Sequence, residues 1–280
     1  MSKAVGTALV VLFLCAGTLS AGAETRPSVS DFLAQAQATY DKMQSYSSSG
    51  EVTSNVSLTN VRPVESHYTF AIKLKRPNLY RVQWDQRAPF MTTSGAVWSA
   101  GEGNFVTVPG QANPIQAKDM ASALSMATGL SGTAAATVPS IFFGLNFNSF
   151  KPLTAATYGQ DADIEGDPCY VITEKTSANG GTATMWISRK SKLLRQVRED
   201  LNGPVKIPEM TDEETKKVLE SMGQKPTAAA IKNMKEQMAS VRTMMSSGMS
   251  GSIIQVQRQI VVNAALSKAD FTRQAAPASK

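Results

Sequence analysis

The clearest pattern of apolar and polar positions lies between residues 68 and 84. Apolar side chains occupy every second position from Tyr68 to Leu74, and mostly polar ones lie between them. A β-strand directs alternate side chains to opposite faces, so the run predicts a strand with one apolar and one solvated face. Pro77 and Asn78 interrupt the run, and a second alternating run follows as far as Trp84. Together the two runs predict a β-hairpin.

Arg76 ends the first run, immediately before the predicted turn. By parity it continues the apolar face of the strand. A guanidinium at the mouth of an apolar concavity is suited to anchor a ligand that is apolar with a polar end.

Further alternating runs follow along the chain. They predict strands at residues 52–58, 93–99, 104–108, 169–176, 182–188, 193–200 and 254–262. Because many of these runs succeed one another at short intervals without helices between them, they favour an antiparallel meander over a doubly wound sheet. In the last run the alternation assigns Ile254, Val256, Ile260 and Val262 to the apolar face, with Arg258 on the same side.

Two helices are predicted outside these runs by the spacing of apolar residues and by capping residues. The first covers residues 29–43, with Ser28 or Ser30 as N-cap and the polar residues 47–50 ending it. The second is short and covers residues 117–128.

The segment that follows changes in character twice. Residues 129–137 are small, and we expect them to be mobile; residues 138–150 are dense in aromatic side chains, including Phe142 and Phe143. The aromatic segment is either a helix that plugs the core or a lid over a cavity, and the sequence leaves both open.

Residues 209–249 form a predicted helical pair inserted into the strand pattern. Thr211 and Glu214 have the spacing of a capping box at the start of the first helix, and the second helix begins near Thr227. The second helix has a narrow apolar seam, formed by Ile231, Met234, Met238, Val241 and Met245. The seam either packs on the sheet or on the first helix, or it forms an adaptable surface for apolar partners.

The first 23 residues have the pattern of a secretory signal peptide. Lys3 supplies a basic start, residues 4–17 form an apolar run of about 14 residues, and Ala21-Gly22-Ala23 gives a cleavage pattern. We therefore predict an exported protein cleaved near Ala23. Cleavage would leave Cys169 as the single cysteine, so no intramolecular disulfide is expected and a buried, inert thiol is predicted.

Charge and composition argue against several functional classes. The formal net charge is +6, and the basic residues are scattered rather than interleaved with aromatic residues, so no nucleic-acid partner is predicted. The single histidine, His67, has no evident carboxylate or nucleophile motif around it, and phosphate-loop and dinucleotide motifs are absent from the sequence. Residues 161–167 resemble a calcium loop, but Ile172 occupies the position of its bidentate ligand. We predict no enzyme activity, no cofactor and no metal.

Several short motifs resemble the LolA/LolB-like periplasmic lipoprotein-carrier superfamily, which includes outer-membrane lipoprotein-sorting proteins. The motifs follow the family order over most of residues 30–276, although the predicted helices at 209–249 have no counterpart. They are Lys75-Arg76-Pro77-Asn78-Leu79, Gly95 to Trp98, Pro139-Ser140-Ile141, Cys169 to Ile172, Met185 to Ser188, Leu193-Leu194-Arg195, Val262-Asn263 and Leu266 to Phe271.

The resemblance implies an α+β fold, an open antiparallel β half-barrel closed by helices, here with the helical-pair insertion. One such domain would cover residues 24–276, with a polar tail at 277–280. The expected protein is a periplasmic, monomeric carrier of lipoprotein or lipid acyl chains, served by a membrane-associated donor or acceptor protein. The alternative is a periplasmic sensor that recognises lipoproteins and binds a membrane-anchored regulator through the insertion.

The resemblance also implies a site. Arg76 matches the family's turn arginine, whose implied role is to hydrogen-bond the lid and so control its opening. The candidate residues of the cavity and its lid are Phe70, Ile72, Leu74, Val82, Trp84, Trp98, Phe142 and Phe143. For the strand residues among them, ordinary core packing is the alternative.

Overall fold

The structure is a computed structural model that describes residues 26–58, 63–88, 91–150, 155–175, 181–204, 207–222 and 224–272. The signal peptide, its cleavage near Ala23 and the polar tail lie outside the described residues and stay predictions.

One large antiparallel sheet forms the framework. Its strands are Ser45–Leu58 (β1), Val64–Lys75 (β2), Leu79–Ala88 (β3), Met91–Ser99 (β4), Asn104–Val106 (β5), Ile115–Ala117 (β6), Thr157–Tyr158 (β7), Ala162–Ile164 (β8), Asp167–Lys175 (β9), Thr182–Ser188 (β10), Leu194–Gly203 (β11) and Met249–Val262 (β12). The spatial order is β6-β5-β4-β3-β2-β1-β12-β11-β10-β9-β7, and β8 pairs with β9. Among the described strands β6 and β7 stay at opposite ends of this order, so the sheet is an open half-barrel, as predicted.

Five α-helices accompany the sheet. They are Val29–Lys42 (α1), Met120–Thr128 (α2), Thr137–Phe143 (α3), Asp212–Ser221 (α4) and Ala228–Ser246 (α5). The segment from α2 to α3, residues 120–143, covers the concave face of the sheet, and we call it the plug. The ring of Tyr68 in β2 lies where a Cβ on Gly132 of the plug would meet it, 2.9 Å away.

The predicted hairpin is confirmed by β2 and β3. Phe70 lies opposite Trp84 and Ile72 opposite Val82, so the apolar residues of both strands share the concave face. All four are buried in one core cluster, together with residues of α1 and the plug. The alternating run therefore identifies the face on which the core is built.

Two predicted helix boundaries are wrong. The first helix ends at Lys42, and residues 47–50 belong to β1, because β1 pairs with β2 on one side and β12 on the other. The second helix begins at Met120 rather than at residue 117, because the Asp119 side chain caps it by accepting from Ser122 N. The residues before it form the edge strand β6.

The small-residue segment between α2 and α3, expected to be mobile, is packed into the fold. Ser131, Ala134 and Ala135 are fully buried. The Ser131 hydroxyl accepts a hydrogen bond from Ala135 N at 3.0 Å. Small side chains here allow the plug to approach the sheet closely, so the composition reflects packing.

The inserted helical pair is present as predicted. Thr211 and Glu214 form the capping box at the start of α4, and Thr227 caps α5. Two ion pairs connect α5 to the start of the insertion. Lys235 pairs with Asp212 at 2.7 Å, and Arg242 pairs with Glu209 at 3.4 Å. The described residues of α5 include none that is fully buried, so its apolar seam is only half covered.

Candidate ligand-binding site

Arg76 joins the sheet to two helices at one end of the half-barrel. Its Nε donates to Met43 O at 2.9 Å, and its Nη2 donates to Phe142 O at 2.6 Å and to Tyr40 O at 3.3 Å. The guanidinium also lies over the Phe142 ring, 4.7 Å from its centroid. Met43 O and Tyr40 O lie at the end of α1, whereas Phe142 O belongs to α3 of the plug. The turn arginine is therefore hydrogen-bonded to the plug.

Most of the other candidate residues are brought together on the concave face. Phe70, Ile72, Leu74, Val82, Trp84 and Phe142 belong to the buried core cluster. Phe143 is partly buried against it, with its ring 4.9 Å from that of Phe142 and 6.3 Å from that of Tyr80. In this conformation their side chains pack against one another and against the plug. That they line a cavity stays a prediction.

Trp98 lies apart from this set. Val97 faces Val82 on the concave side, so Trp98, the next residue of β4, points to the convex side. There it stacks on Phe105, with ring centroids 5.6 Å apart. Trp98 is buried, but away from the interior of the half-barrel.

A polar stripe that the sequence analysis missed crosses the concave face. Gln255 and Gln257 of β12 are 2% and 1% exposed. Gln255 Oε1 accepts from Thr133 and Thr137 of the plug at 3.0 and 2.9 Å, and Gln257 Oε1 accepts from Ser48 at 2.9 Å. Both Nε2 atoms are buried without a partner in the described part of the chain. Buried amides without partners are uncommon in folded proteins, so this stripe is unusual for a core.

The prediction that Ile254 and Val256 form the apolar face of β12 is therefore wrong. The ladder between β1 and β12 shifts register near Gln259, which has a φ of 48°. A β-bulge of this kind places one extra residue in a strand and exchanges the faces of the residues on either side of it. Ile260 is packed against the core, as the alternation predicted, whereas on the other side of the bulge the glutamines face inward. The signal available in the sequence was the pair of glutamines alternating with β-branched residues.

A cavity of about 410 Å³ lies beside this stripe, between the plug and β11. Its lining residues are Ser125, Thr128, Thr133, Ala136, Thr137, Phe147, Ser149 and Glu199. Burial raises the pKa of the Glu199 carboxyl. Glu199 was not among the predicted site residues, since one acidic residue in a strand gives no recognisable pattern.

Two further cavities lie elsewhere on the molecule. One, of about 600 Å³, separates the end of α4 from the region of β6 and is lined by Glu220, Met222 and Lys118 among others. The other, of about 320 Å³, lies at the end of α1, next to Leu193 and Val262. The insertion thus reaches towards the edge strand of the half-barrel.

The remaining candidate groups are engaged in ordinary contacts. His67 Nε2 lies 3.0 Å from Glu65 Oε1 on the surface, and Cys169 is buried, which raises the pKa of its thiol to about 11. Asp161 is ion-paired with Arg26. Across the described ranges, His, Cys, Asp and Glu side chains form no group of three or more that could hold a metal ion. In the same part of the chain, no helix has both the length and the apolar character needed to cross a membrane.

Comparison with known proteins gives a likeness of fold only. No family model matches the sequence, and no curated protein matches it. Among solved structures, LprF from Mycobacterium bovis is 6% identical with a TM-score of 0.41, covering 86% of this chain and 96% of that one. A LolA superfamily protein from Nitrosomonas europaea is 12% identical with a TM-score of 0.34, covering 89% and 99%. A DUF1329 family protein from Desulfovibrio piger is 10% identical with a TM-score of 0.31, covering 87% and 95%. These likenesses assign no ligand or activity to this chain.

Proposed function

We propose that the protein is a periplasmic, non-catalytic carrier that binds acyl chains of lipoproteins or lipids inside the half-barrel. The observation that carries the proposal is the way the interior is closed. The concave apolar face is covered by a separate segment, the plug, while the sheet itself stays open at β6 and β7. A cover that is not part of the sheet can move without breaking the strand ladders.

Movement of the plug would let an acyl chain take the plug's place against the concave face of the sheet. Phe70, Ile72, Leu74, Val82 and Trp84 would then line the vacated space, and Phe142 and Phe143 would leave with α3. Each acyl methylene buried in place of the plug contributes about 0.8 kcal/mol. Burial of the acyl chain therefore opposes the loss of the plug's own contacts.

Arg76 is the latch in this proposal. Its 2.6 Å bond to Phe142 O ties the plug to the sheet, and its bonds to Met43 O and Tyr40 O hold the guanidinium in place when the plug is gone. Opening of the plug breaks the bond from Arg76 and leaves Phe142 O without its donor. The carbonyl regains this donor only when the plug closes, which favours reclosure.

The proposal is tested first by its ligand. Mature protein made in a bacterial periplasm should co-purify with acyl lipid, detected by native mass spectrometry and by solvent extraction. It should also release a fluorescent fatty-acid probe on addition of unlabelled chain. Repeated absence of lipid together with no binding of the probe would falsify the proposal.

A second test asks whether the plug must move. The paired substitution T133C with Q255C places two thiols where the plug and β12 are hydrogen-bonded. Joining them with a short thiol cross-linker should block uptake of the probe, and each single variant treated in the same way is the control. Unchanged uptake in the cross-linked protein would show that the ligand enters elsewhere.

A second candidate function is a sensor that binds a membrane-anchored regulator through the insertion. The observation that favours it is the exposure of Val241 and Met244 on α5, 37% and 46%. Deleting residues 209–247 discriminates between the two. A carrier whose half-barrel holds the cargo keeps lipid binding after the deletion, whereas a sensor loses its partner.

A further inference from the structure

The cavity beside the plug has a chemistry that binding of acyl chains alone does not use. It lies where the plug meets β11 and contains one carboxylate, several hydroxyls and two apolar side chains. We call it the Glu199 cavity. Its position matters because it lies on the seam along which the plug and the sheet would separate.

Glu199 is a half-buried carboxylate to which no described residue is hydrogen-bonded or ion-paired through the side chain. Its burial raises its pKa, which is the direction expected for an acid that has lost water without gaining a cation. Two acidic residues elsewhere in the described chain illustrate the contrast, since Asp161 pairs with Arg26 and Asp270 with Lys73. Glu199 therefore offers two acceptor oxygens that the protein itself leaves unused.

Three of the five hydroxyls that line the cavity already donate their protons to other acceptors. Thr128 Oγ1 donates to Leu124 O at 2.8 Å, while Thr133 and Thr137 donate to Gln255 Oε1 at 3.0 and 2.9 Å. A hydroxyl has one proton to donate and keeps its lone pairs as acceptors. The three threonines belong to the plug, so they present lone pairs to the cavity while the plug is closed. Glu199 belongs to β11 and keeps its acceptor oxygens when the plug moves.

We infer that the Glu199 cavity binds the ammonium headgroup of an amphiphilic lipid. An ammonium group has three donors and no acceptor, which complements a carboxylate surrounded by threonine lone pairs. Phe147, 38% exposed, and Ala136 line the same cavity and provide contact for the methylenes next to the headgroup. Gln255 Oε1 accepts from Thr133 and Thr137 and so fixes the direction in which both of these hydroxyls point. The inference rests on the proposed carrier function and adds the class of lipid.

The test compares two lipids that share their chains. Dihexanoyl phosphatidylethanolamine has an ammonium group, and dihexanoyl phosphatidylglycerol has none. Their binding to the wild-type protein and to Glu199→Gln is measured by calorimetry, with Glu236→Gln as a matched control on the exposed face of α5. Glutamine keeps the shape of the side chain and removes its charge, and the thermal transition confirms that each variant is folded.

The wild type and Glu236→Gln should bind the aminolipid about tenfold more tightly than the glycerol lipid, the size expected for one charge-assisted hydrogen bond. Glu199→Gln should abolish that preference, so that the two lipids bind with equal affinity. Equal affinities in the wild type, or a preference that survives in Glu199→Gln, would overturn the inference and leave the carrier function standing. Binding of neither lipid would overturn both. Equal affinity for a lysine tripeptide would overturn the lipid assignment in favour of a peptide ligand.

Discussion

Replacing Arg76 by leucine tests how the plug is held. The substitution removes three hydrogen bonds from a charged donor, but they are not equal. The bond to Tyr40 O is 3.3 Å long and its acceptor already receives Met43 N, whereas the bonds to Met43 O and Phe142 O are 2.9 and 2.6 Å. With about 1.5 kcal/mol for each of the two short bonds, the free energy of unfolding should fall by about 3 kcal/mol.

About half of that loss belongs to the plug. A decrease of about 1.5 kcal/mol in the free energy of opening raises the open population about tenfold. The amides of Gly144 and Leu145, which donate to carbonyls of α3 at 3.3 and 2.9 Å, should then exchange with deuterium about ten times faster. Uptake of a fluorescent fatty acid should accelerate by a similar factor if opening limits it.

Arg81→Leu is the matched control. Arg81 is a buried arginine on the neighbouring strand, and it donates to Thr272 O at 3.1 Å and to Gln83 Oε1 at 2.8 Å rather than to the plug. Its loss should destabilise the protein without selectively speeding exchange at the end of α3. If the two variants change the exchange of Gly144 equally, Arg76 is not a latch and the reasoning fails.

Three further predictions follow from particular contacts. Gly132→Ala should lower the free energy of unfolding, measured by urea denaturation, by about 2 kcal/mol, and Gly144→Ala should lower it by about 1 kcal/mol. Both glycines have positive φ, but only Gly132 faces an aromatic ring. Equal losses in the two variants would contradict close packing of the plug. Asp270→Asn should lower Tm by about 2 °C at pH 6 and by much less near pH 2. The hydrogen bond from Lys73 lowers the Asp270 pKa to about 2, so its stabilisation is present above the unfolded pKa of about 4 and is lost as pH falls through 2. A decrease in Tm that is as large at pH 2 as at pH 6 would refute this. Glu199→Gln should raise Tm at pH 8 but not at pH 4. The pKa of Glu199 is raised by burial, so the folded protein loses stability as pH rises through that pKa and the carboxyl ionises. An increase in Tm of equal size at both pH values would show that the charge is not the cause.

The sequence predicts the sheet and its concave apolar face well, because alternation at every second residue is a direct consequence of strand geometry. Phe70 and Val82 were assigned to the correct face for this reason. Arg76 was located from the same parity and from its resemblance to a family motif. The three groups that accept from Arg76 are backbone carbonyls of residues distant in sequence, so no local sequence pattern predicts these hydrogen bonds.

The interior polar stripe could not be predicted in the same way. Parity reasoning assumes an uninterrupted ladder, and the bulge at Gln259 breaks that assumption. Glu199 was missed for a different reason, since its burial depends on the plug lying over β11. Such a contact between distant segments is set by tertiary packing alone.

The extra residue at the Gln259 bulge decides which side chains of β12 face the interior of the half-barrel. Deleting that single residue would restore regular pleating and turn Ile254, Val256 and Arg258 inward in place of the two glutamines. A one-codon deletion would thereby replace two neutral amides of the interior by two aliphatic side chains and one cation, without any substitution along the strand.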